Sequence, residues 1–215
     1  MGEIEIPPHN RLLVSGSGMN EDGDYSPVQI WNLHTGARRI LPRSEGVDTI
    51  TFSPDGQRLI GLDSEEDTGA LPFHRTWNAA TGAVEHTHRL PRRTLALNFS
   101  PDDRLFATGL WDARSHEPVT IWDARTGRRL YRLRGPYHTV RDVAFSPNAP
   151  WLVTAGGEDQ NRIRGELMLW DRRTGKLLAS APPLPSLITS AEFSPNGSLL
   201  ASASDDGTVR LWRVH

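Results

Sequence analysis

The sequence predicts an all-β fold of five repeated units, each made of four short antiparallel strands except the last, which lacks its outer strand. Three markers running in one phase carry that prediction. Phe-Ser-Pro occurs at Phe52-Ser53-Pro54, Phe99-Ser100-Pro101, Phe145-Ser146-Pro147 and Phe193-Ser194-Pro195, in steps of 47, 46 and 48 residues. A degenerate copy, Ile6-Pro7-Pro8, sits 46 residues before the first. A tryptophan follows each copy at a near-constant distance, at Trp31, Trp77, Trp122, Trp170 and Trp212. Thr-Gly recurs at Thr35-Gly36, Thr81-Gly82, Thr126-Gly127 and Thr174-Gly175.

Each unit reads as strands in order. The first ends at Phe-Ser-Pro, where Pro-Asp-Gly, Pro-Asp-Asp or Pro-Asn-Gly breaks any helix and turns the chain. The second runs through segments such as Arg104-Leu105-Phe106-Ala107-Thr108. The third ends at the marker tryptophan: Val119-Thr120-Ile121-Trp122 and Val209-Arg210-Leu211-Trp212 alternate, and their β-branched and aromatic residues suit a half-buried pleat. The fourth follows Thr-Gly, as in Arg128-Arg129-Leu130-Tyr131-Arg132-Leu133. Four antiparallel strands repeated every ~45 residues mark the blade of a β-propeller. One domain over residues 1–215 is expected, with blades over 3–45, 46–92, 93–136, 137–186 and 187–215.

The last unit, Ser194-Pro195-Asn196-Gly197-Ser198-Leu199-Leu200-Ala201-Ser202-Ala203-Ser204-Asp205-Asp206-Gly207-Thr208-Val209-Arg210-Leu211-Trp212, resembles a WD40 repeat at full strength. Trp122-Asp123 and Trp170-Asp171 match the family's Trp-Asp pair, and Trp31-Asn32, Trp77-Asn78 and Trp212-Arg213 are weakened versions. The resemblance covers nearly the whole chain. It implies a propeller with the five tryptophans as structural residues, and a role in holding other proteins. Blades of this family often carry a histidine that joins a Ser/Thr, an Asp and the Trp in a buried hydrogen-bond chain. That histidine is missing here, as in Pro183-Leu184-Pro185-Ser186 and Gly135-Pro136-Tyr137. Ser202, Asp206 and Trp212 are expected to supply the remaining three members in blade 5. Ser15, Thr108 and Thr154 hold the hydroxyl position elsewhere, whereas Gly61 empties it in blade 2, which is therefore expected to be the softest blade. Rings of this family usually have seven blades, so the ring here is expected to be open or partial. The missing outer strand has three readings: a fragment of a longer frame, an irregular five-blade ring, or pairing of open blade edges with another copy.

Composition narrows the function. The formal net charge is -2, which gives no general attraction to nucleic acid or anionic membrane. There are no cysteines, which removes disulfides, thiolate nucleophiles and cysteine-ligated zinc. The start of the chain has neither the basic nor the apolar region of a signal peptide, and no stretch approaches the ~18 apolar residues of a membrane helix, so a soluble, cytoplasmic protein is expected. Of 24 basic residues only Lys176 is not arginine, a bias expected of a GC-rich genome and, with it, a prokaryotic source.

The candidate site lies in the connections between second and third strands, which are unusually long: 16–27, 63–74, 109–118 and 156–165. With the short turn 204–207 they hold 13 of the 26 acidic residues. Long loops on a rigid scaffold commonly bind. The candidate partner-binding residues are Asp22, Asp24, Glu65, Glu66, Asp67, Trp111, Arg114, His116, Glu158, Asp159, Arg162 and Arg164. Trp111 is the sharpest, a loop aromatic able to anchor an interface. Trp111-Asp112-Ala113-Arg114 also copies Trp122-Asp123-Ala124-Arg125, but the step from Phe99 favours Trp122 as the marker.

Catalytic motifs are absent: the chain has no His-Glu-x-x-His, Walker loop or Gly-x-Ser-x-Gly. His86 and His88 share a strand face without an evident third metal ligand, so no metal site is expected. Asn20-Glu21-Asp22-Gly23-Asp24 lacks the calcium-loop pattern and reads as a polar turn. Fourth-strand arginines such as Arg38, Arg92 and Arg128 lack the interleaved aromatics of a nucleic-acid surface. The expected function is a non-catalytic scaffold for a protein or peptide, with no cofactor, nucleic acid or membrane. Two alternatives remain: the sensing arm of a larger polypeptide, such as one fused to a kinase or protease, or a propeller hydrolase or lyase. Apolar or small first-strand residues such as Val143, Ala144 and Phe145 count against the last.

Overall fold

The structure is a computed structural model that describes residues 4–5, 11–15, 26–63, 73–90, 94–110, 117–134, 139–158 and 164–214. It is all-β, with no helix among the described residues. Four sheets have four strands each and the fifth has three, all paired antiparallel between successive strands. Contacts divide the chain into two compact units, Met1–Thr94 with Ala124–Arg128, and Leu95–Asp123 with Arg129–His215.

The first unit holds two sheets. Blade 1 comprises β1 (Ile4–Glu5), β2 (Leu12–Ser15), β3 (Gln29–Asn32) and β4 (Arg38–Ile40). Blade 2 comprises β5 (Val47–Phe52), β6 (Arg58–Asp63), β7 (Phe73–Asn78) and β8 (Val84–Arg89). The second unit holds three. Blade 3 comprises β9 (Thr94–Phe99), β10 (Leu105–Leu110), β11 (Val119–Asp123) and β12 (Arg129–Leu133). Blade 4 comprises β13 (Thr139–Phe145), β14 (Trp151–Glu158), β15 (Arg164–Asp171) and β16 (Leu177–Ser180). Blade 5 comprises β17 (Ile188–Phe193), β18 (Leu199–Ser204) and β19 (Val209–Arg213). Among the described residues the last blade thus has three strands, without an outer one, as the sequence led one to expect.

The markers make turns by a repeated local chemistry. The serine of Phe-Ser-Pro faces back into its own turn: Ser53 Oγ donates to Asp55 Oδ1 at 2.6 Å and accepts from the Arg58 backbone at 2.9 Å. Ser100 does the same with Asp102 and the Leu105 N–H, and Ser194 with Asn196 and the Leu199 N–H. The residue after the marker tryptophan closes the next turn. Asn32 Oδ1 accepts from the N–H groups of His34 and Thr35, and Asp171 Oδ1 from those of Arg173 and Thr174. Acceptance by one side-chain oxygen is all the turn needs, which is why Asn replaces Asp after Trp31 and Trp77. The glycine of Thr-Gly takes the left-handed backbone that finishes the turn, as at Gly36 with φ +72°.

Each blade has two apolar faces, and within each unit successive blades cover one another. The face of a blade that meets the next one in the chain is its downstream face, and the opposite one, which carries the marker tryptophan, its upstream face. Val28, Ile30 and Leu41 of blade 1 pack on Val47, Ile50, Phe52, Leu59 and Trp77 of blade 2. Ala107, Val119, Ile121 and Leu133 of blade 3 pack on Val140, Val143, Phe145, Leu152 and Trp170 of blade 4. Ala144, Val153, Ala155 and Leu167 of blade 4 pack on Ile188, Ala191, Phe193 and Leu200 of blade 5, with Trp212 beside them. Each large side chain so buried contributes about 1.5–3 kcal/mol. A half-buried carboxylate ties the last junction: Asp142 accepts from the Ala191 N–H at 2.8 Å and Ser190 Oγ at 3.1 Å.

A buried indole still needs a partner for its N–H. Trp122 donates to Thr108 Oγ1 at 2.9 Å, Trp170 to Thr154 Oγ1 at 3.1 Å and Trp212 to Ser202 Oγ at 3.0 Å. Trp122 also stacks on Phe106, which settles the register against Trp111. Two expectations change. Asp206 does not join Ser202 and Trp212: it is exposed, and its Oδ1 accepts from the backbone and hydroxyl of Thr208, because the 204–207 turn is short enough for the carboxylate to serve its own turn first. Gly61 does not leave Trp77 unbonded, since the indole donates to the Pro42 carbonyl at 3.0 Å. A Cβ at Gly61 would lie 2.7 Å from Val47 Cγ1 and 3.0 Å from the Trp77 ring. Gly61→Ser, which restores the residue type of the other blades, is therefore expected to destabilise the chain by about 1–3 kcal/mol through overpacking. Thermal or denaturant unfolding measures this, and a rise in stability would contradict the packing described.

Candidate functional site

The second-to-third-strand connections all leave their sheets at the same end of the strand pairs, and the described residues show how their bases are held. In blade 1, Ser15 pairs with Gln29 and the Val28 N–H donates to Ser44 Oγ at 2.8 Å. In blade 3, the Leu110 N–H donates to the Pro118 carbonyl at 2.8 Å. Beside it Glu117 receives Arg132 at 2.7 Å and Arg134 at 3.0 Å, and the hydrogen bond from Arg132 above all holds its carboxyl below the usual range. In blade 4 the hairpin is longest, pairing as far as Glu158 with Arg164. That extension depends on Gly156, where a Cβ would strike the Thr139 carbonyl of the neighbouring strand.

Of the residues singled out from the sequence, Asp22, Asp24, Glu65, Glu66, Asp67, Trp111, Arg114, His116, Asp159 and Arg162 lie outside the described residues, and so does the 20–24 turn. Glu158 and Arg164 are brought together as partners at the mouth of the blade 4 hairpin, with Arg164 exposed. The five marker tryptophans and Ser202 occupy structural positions in their sheets.

Sequence reading missed two features. At the base of the blade 2 connection sits His74, fully buried, with the ring of His88 stacked on it at 5.3 Å and His86 next along the same strand. Burial, then the neighbouring His88 and His86, lowers its pKa to about 3. His86 is engaged elsewhere, 2.7 Å from the Arg125 carbonyl. Among the described residues no three His, Cys, Asp or Glu side chains are arranged to hold a metal ion. The cross-strand pairing of His74 with His88 arises from register, which single-strand patterning does not reveal. The second feature is an open cleft of about 630 Å³ in the first unit, at the tight-turn end, lined by Arg11, Asn32, Asp55, Gly56, Gln57 and Ala80. Its lining comes from three turns far apart in sequence, at Asn32, at Asp55 to Gln57 and at Ala80, together with Arg11 just before β2.

A family model described as "WD domain, G-beta repeat" matches residues 127–163 and 175–213, which fall in blades 3 to 5. The chain is 33% identical over 124 residues to human "WD repeat-containing protein 90", covering 56% of this chain and 7% of that protein. It is 34% identical over 143 residues to "Centriole proteome protein 16" of Chlamydomonas reinhardtii, covering 64% of this chain and 6% of that protein. It is 30% identical over 82 residues to "U5 small nuclear ribonucleoprotein 40 kDa protein" of Pongo abelii, covering 38% of this chain and 22% of that protein. The chain thus spans a small part of the length of these relatives. These matches support the WD40 resemblance. All three relatives are eukaryotic, so they lend no support to the prokaryotic source that the arginine bias suggested.

The histidine at the blade 2 base makes a pH prediction. An unfolded His74 takes up a proton below its ordinary value of 6.5, while the folded one stays neutral to about 3. The unfolded state therefore binds more protons across that window, and stability falls as pH falls, by up to about 1.4 kcal/mol per pH unit from this group. His74→Leu is expected to flatten the stability profile between pH 6.5 and 4, since Val28, Val119 and Leu167 fill the equivalent positions of other blades. Denaturant unfolding at several pH values checks this, and identical slopes for the two proteins would refute it.

Proposed function

We propose that this chain is a non-catalytic WD40-type scaffold that holds a protein or peptide partner on its long-loop side. The observation that carries the reading is the contrast between tightly paired blades and the long connections set on pinned bases, most clearly at Glu117 with Arg132 and Arg134. A rigid frame lets loops present contact residues at little ordering cost, which favours binding. Trp111 is the proposed anchor in the second unit, where Glu158, Asp159, Arg162 and Arg164 of the blade 4 hairpin supply charge, and Glu65, Glu66 and Asp67 are the proposed contacts of the blade 2 connection in the first unit. The proposed partner is a protein or peptide, since a net charge of -2 gives no general attraction to nucleic acid or anionic membrane, and the cysteine-free composition suits the cytoplasm.

A second reading rests on the small share of the relatives that the chain spans: it is the sensing arm of a larger polypeptide whose activity lies elsewhere. The two readings are compatible, since a sensing arm works by binding.

Peptides selected from a displayed library on the immobilised chain are expected to lose affinity at least tenfold for the variant Trp111→Ala, Glu65→Ala, Glu66→Ala, with its melting temperature unchanged. Equal affinity for the triple variant would remove the loop face as the binding surface.

A further inference from the structure

The tight-turn end of the first unit brings together turns from distant parts of the chain. Asp55-Gly56-Gln57 joins β5 to β6, Asn32 ends β3, and Ala80 stands in the turn after β7. The cleft of about 630 Å³ among them has a neighbour of about 580 Å³, and Asp55 and Gln57 line both. The second opening adds Arg58, Glu85 and Arg125, the last from the turn 124–128 that contacts place in the first unit. The two openings form one groove running from Arg11 to Arg125. β6 starts at this groove with Arg58 and ends at Asp63, where the long connection of blade 2 begins, so the groove lies at the other end of that sheet.

The walls of the groove are tied to one another. Arg39 donates to the Ala80 carbonyl at 2.5 Å, which joins blade 1 to blade 2. Arg58 donates to the Ala124 carbonyl at 3.2 Å, and His86 Nε2 lies 2.7 Å from the Arg125 carbonyl. The acidic side chains are engaged within the walls. Asp55 Oδ1 accepts from Ser53 Oγ and from the Gln57 N–H, and Glu85 Oε1 accepts from Asn78 Nδ2 at 3.4 Å. The polar groups left over are mainly donors. Among the described residues, the guanidiniums of Arg11 and Arg125, Nε2 of Gln57 and Nδ2 of Asn32 have no hydrogen-bond or ion-pair partner, and all but Asn32 belong to exposed side chains. Leu12 adds an apolar patch to the lining.

We infer that this groove binds an extended acidic peptide segment, with its carboxylates on Arg11 and Arg125 and its backbone carbonyls on Gln57 and Asn32. A guanidinium fork matches a carboxylate in a planar, two-bond pair. Each exposed ion pair is weak alone, so recognition comes from several donors held at fixed spacing by walls that need no reordering. The net charge of -2 over the whole chain does not oppose this, because charges more than about 8 Å away are screened at physiological salt. The site is independent of the loop reading: it shares no residue with the long connections.

The test uses the whole 215-residue chain and the fluorescence anisotropy of a labelled peptide of alternating Glu and Gly, with Lys-Gly and Ser-Gly peptides of equal length for comparison. Saturable binding of the acidic peptide, and of neither of the others, is expected. Arg11→Glu with Arg125→Glu is expected to weaken it at least tenfold at an unchanged melting temperature, since both side chains are exposed. Gln57→Ala, which leaves the charge as it was, is expected to weaken it about threefold. Arg129→Glu with Arg173→Glu reverses two exposed arginines that do not line the groove, and is expected to leave the affinity within twofold. The same is expected of the Trp111→Ala, Glu65→Ala, Glu66→Ala variant, which separates this site from the loop face. Absence of saturable binding overturns the inference, as does an affinity unchanged by either groove variant. An equal loss in the Arg129→Glu, Arg173→Glu control would overturn it too, by reducing the binding to a general attraction of charge.

Discussion

A propeller blade has two apolar faces and nothing of its own to cover either of them. A four-stranded sheet of this size is too thin to hide both its Val-Ile row and its tryptophan from water, so each blade is stable only between neighbours. In this chain the rule is visible at every junction within the two units: a downstream face of small and aliphatic residues receives an upstream face built on a tryptophan, buried in blades 2 and 4 and partly buried in blade 5. The rest of the structure follows from satisfying that demand repeatedly, with short turns at one end of the strands so that the faces stay in register.

The tryptophan brings a second constraint. Its ring is the largest apolar group in each junction, but its N–H must be bonded in a place water does not reach. Three blades solve this with a hydroxyl on the neighbouring strand, at Thr108, Thr154 and Ser202. Blade 2 solves it with the Pro42 carbonyl, and the room for that rearrangement comes from having no side chain at Gly61. What looks in sequence like a lost link is a different way of meeting the same requirement. His74 shows the cost of departing from the pattern further. It stands where other blades carry Val or Leu, and burial there keeps it neutral far below its ordinary titration range.

Function in such a frame is separated from folding in space. The residues that bury the blades are on the sheet faces, while each long connection leaves its own sheet where the second strand ends. The bases of the connections are well held: by the Leu110–Pro118 hydrogen bond, by Glu117 with its two arginines, and by the close approach at Gly156.

The repeat, the number of blades, the four-strand plan and the short last blade were all legible in the sequence, because each marker performs a local task within a few residues of itself. Ser53 turns its own chain, Asn32 closes its own turn, and Gly36 takes a backbone that other residues avoid. The choice of Trp122 over Trp111 was likewise a matter of spacing. Tertiary structure alone decided the partners of groups that must look beyond their own strand. Trp77 turns to Pro42, 35 residues away, Asp206 serves its turn instead of Ser202, and His74 meets His88 across a strand pair. It also decided that Leu211 and Val209, which read in sequence as ordinary core positions, face solvent. Periodicity states which side of a strand a residue is on, and only the packing of one sheet on another states whether anything lies over it.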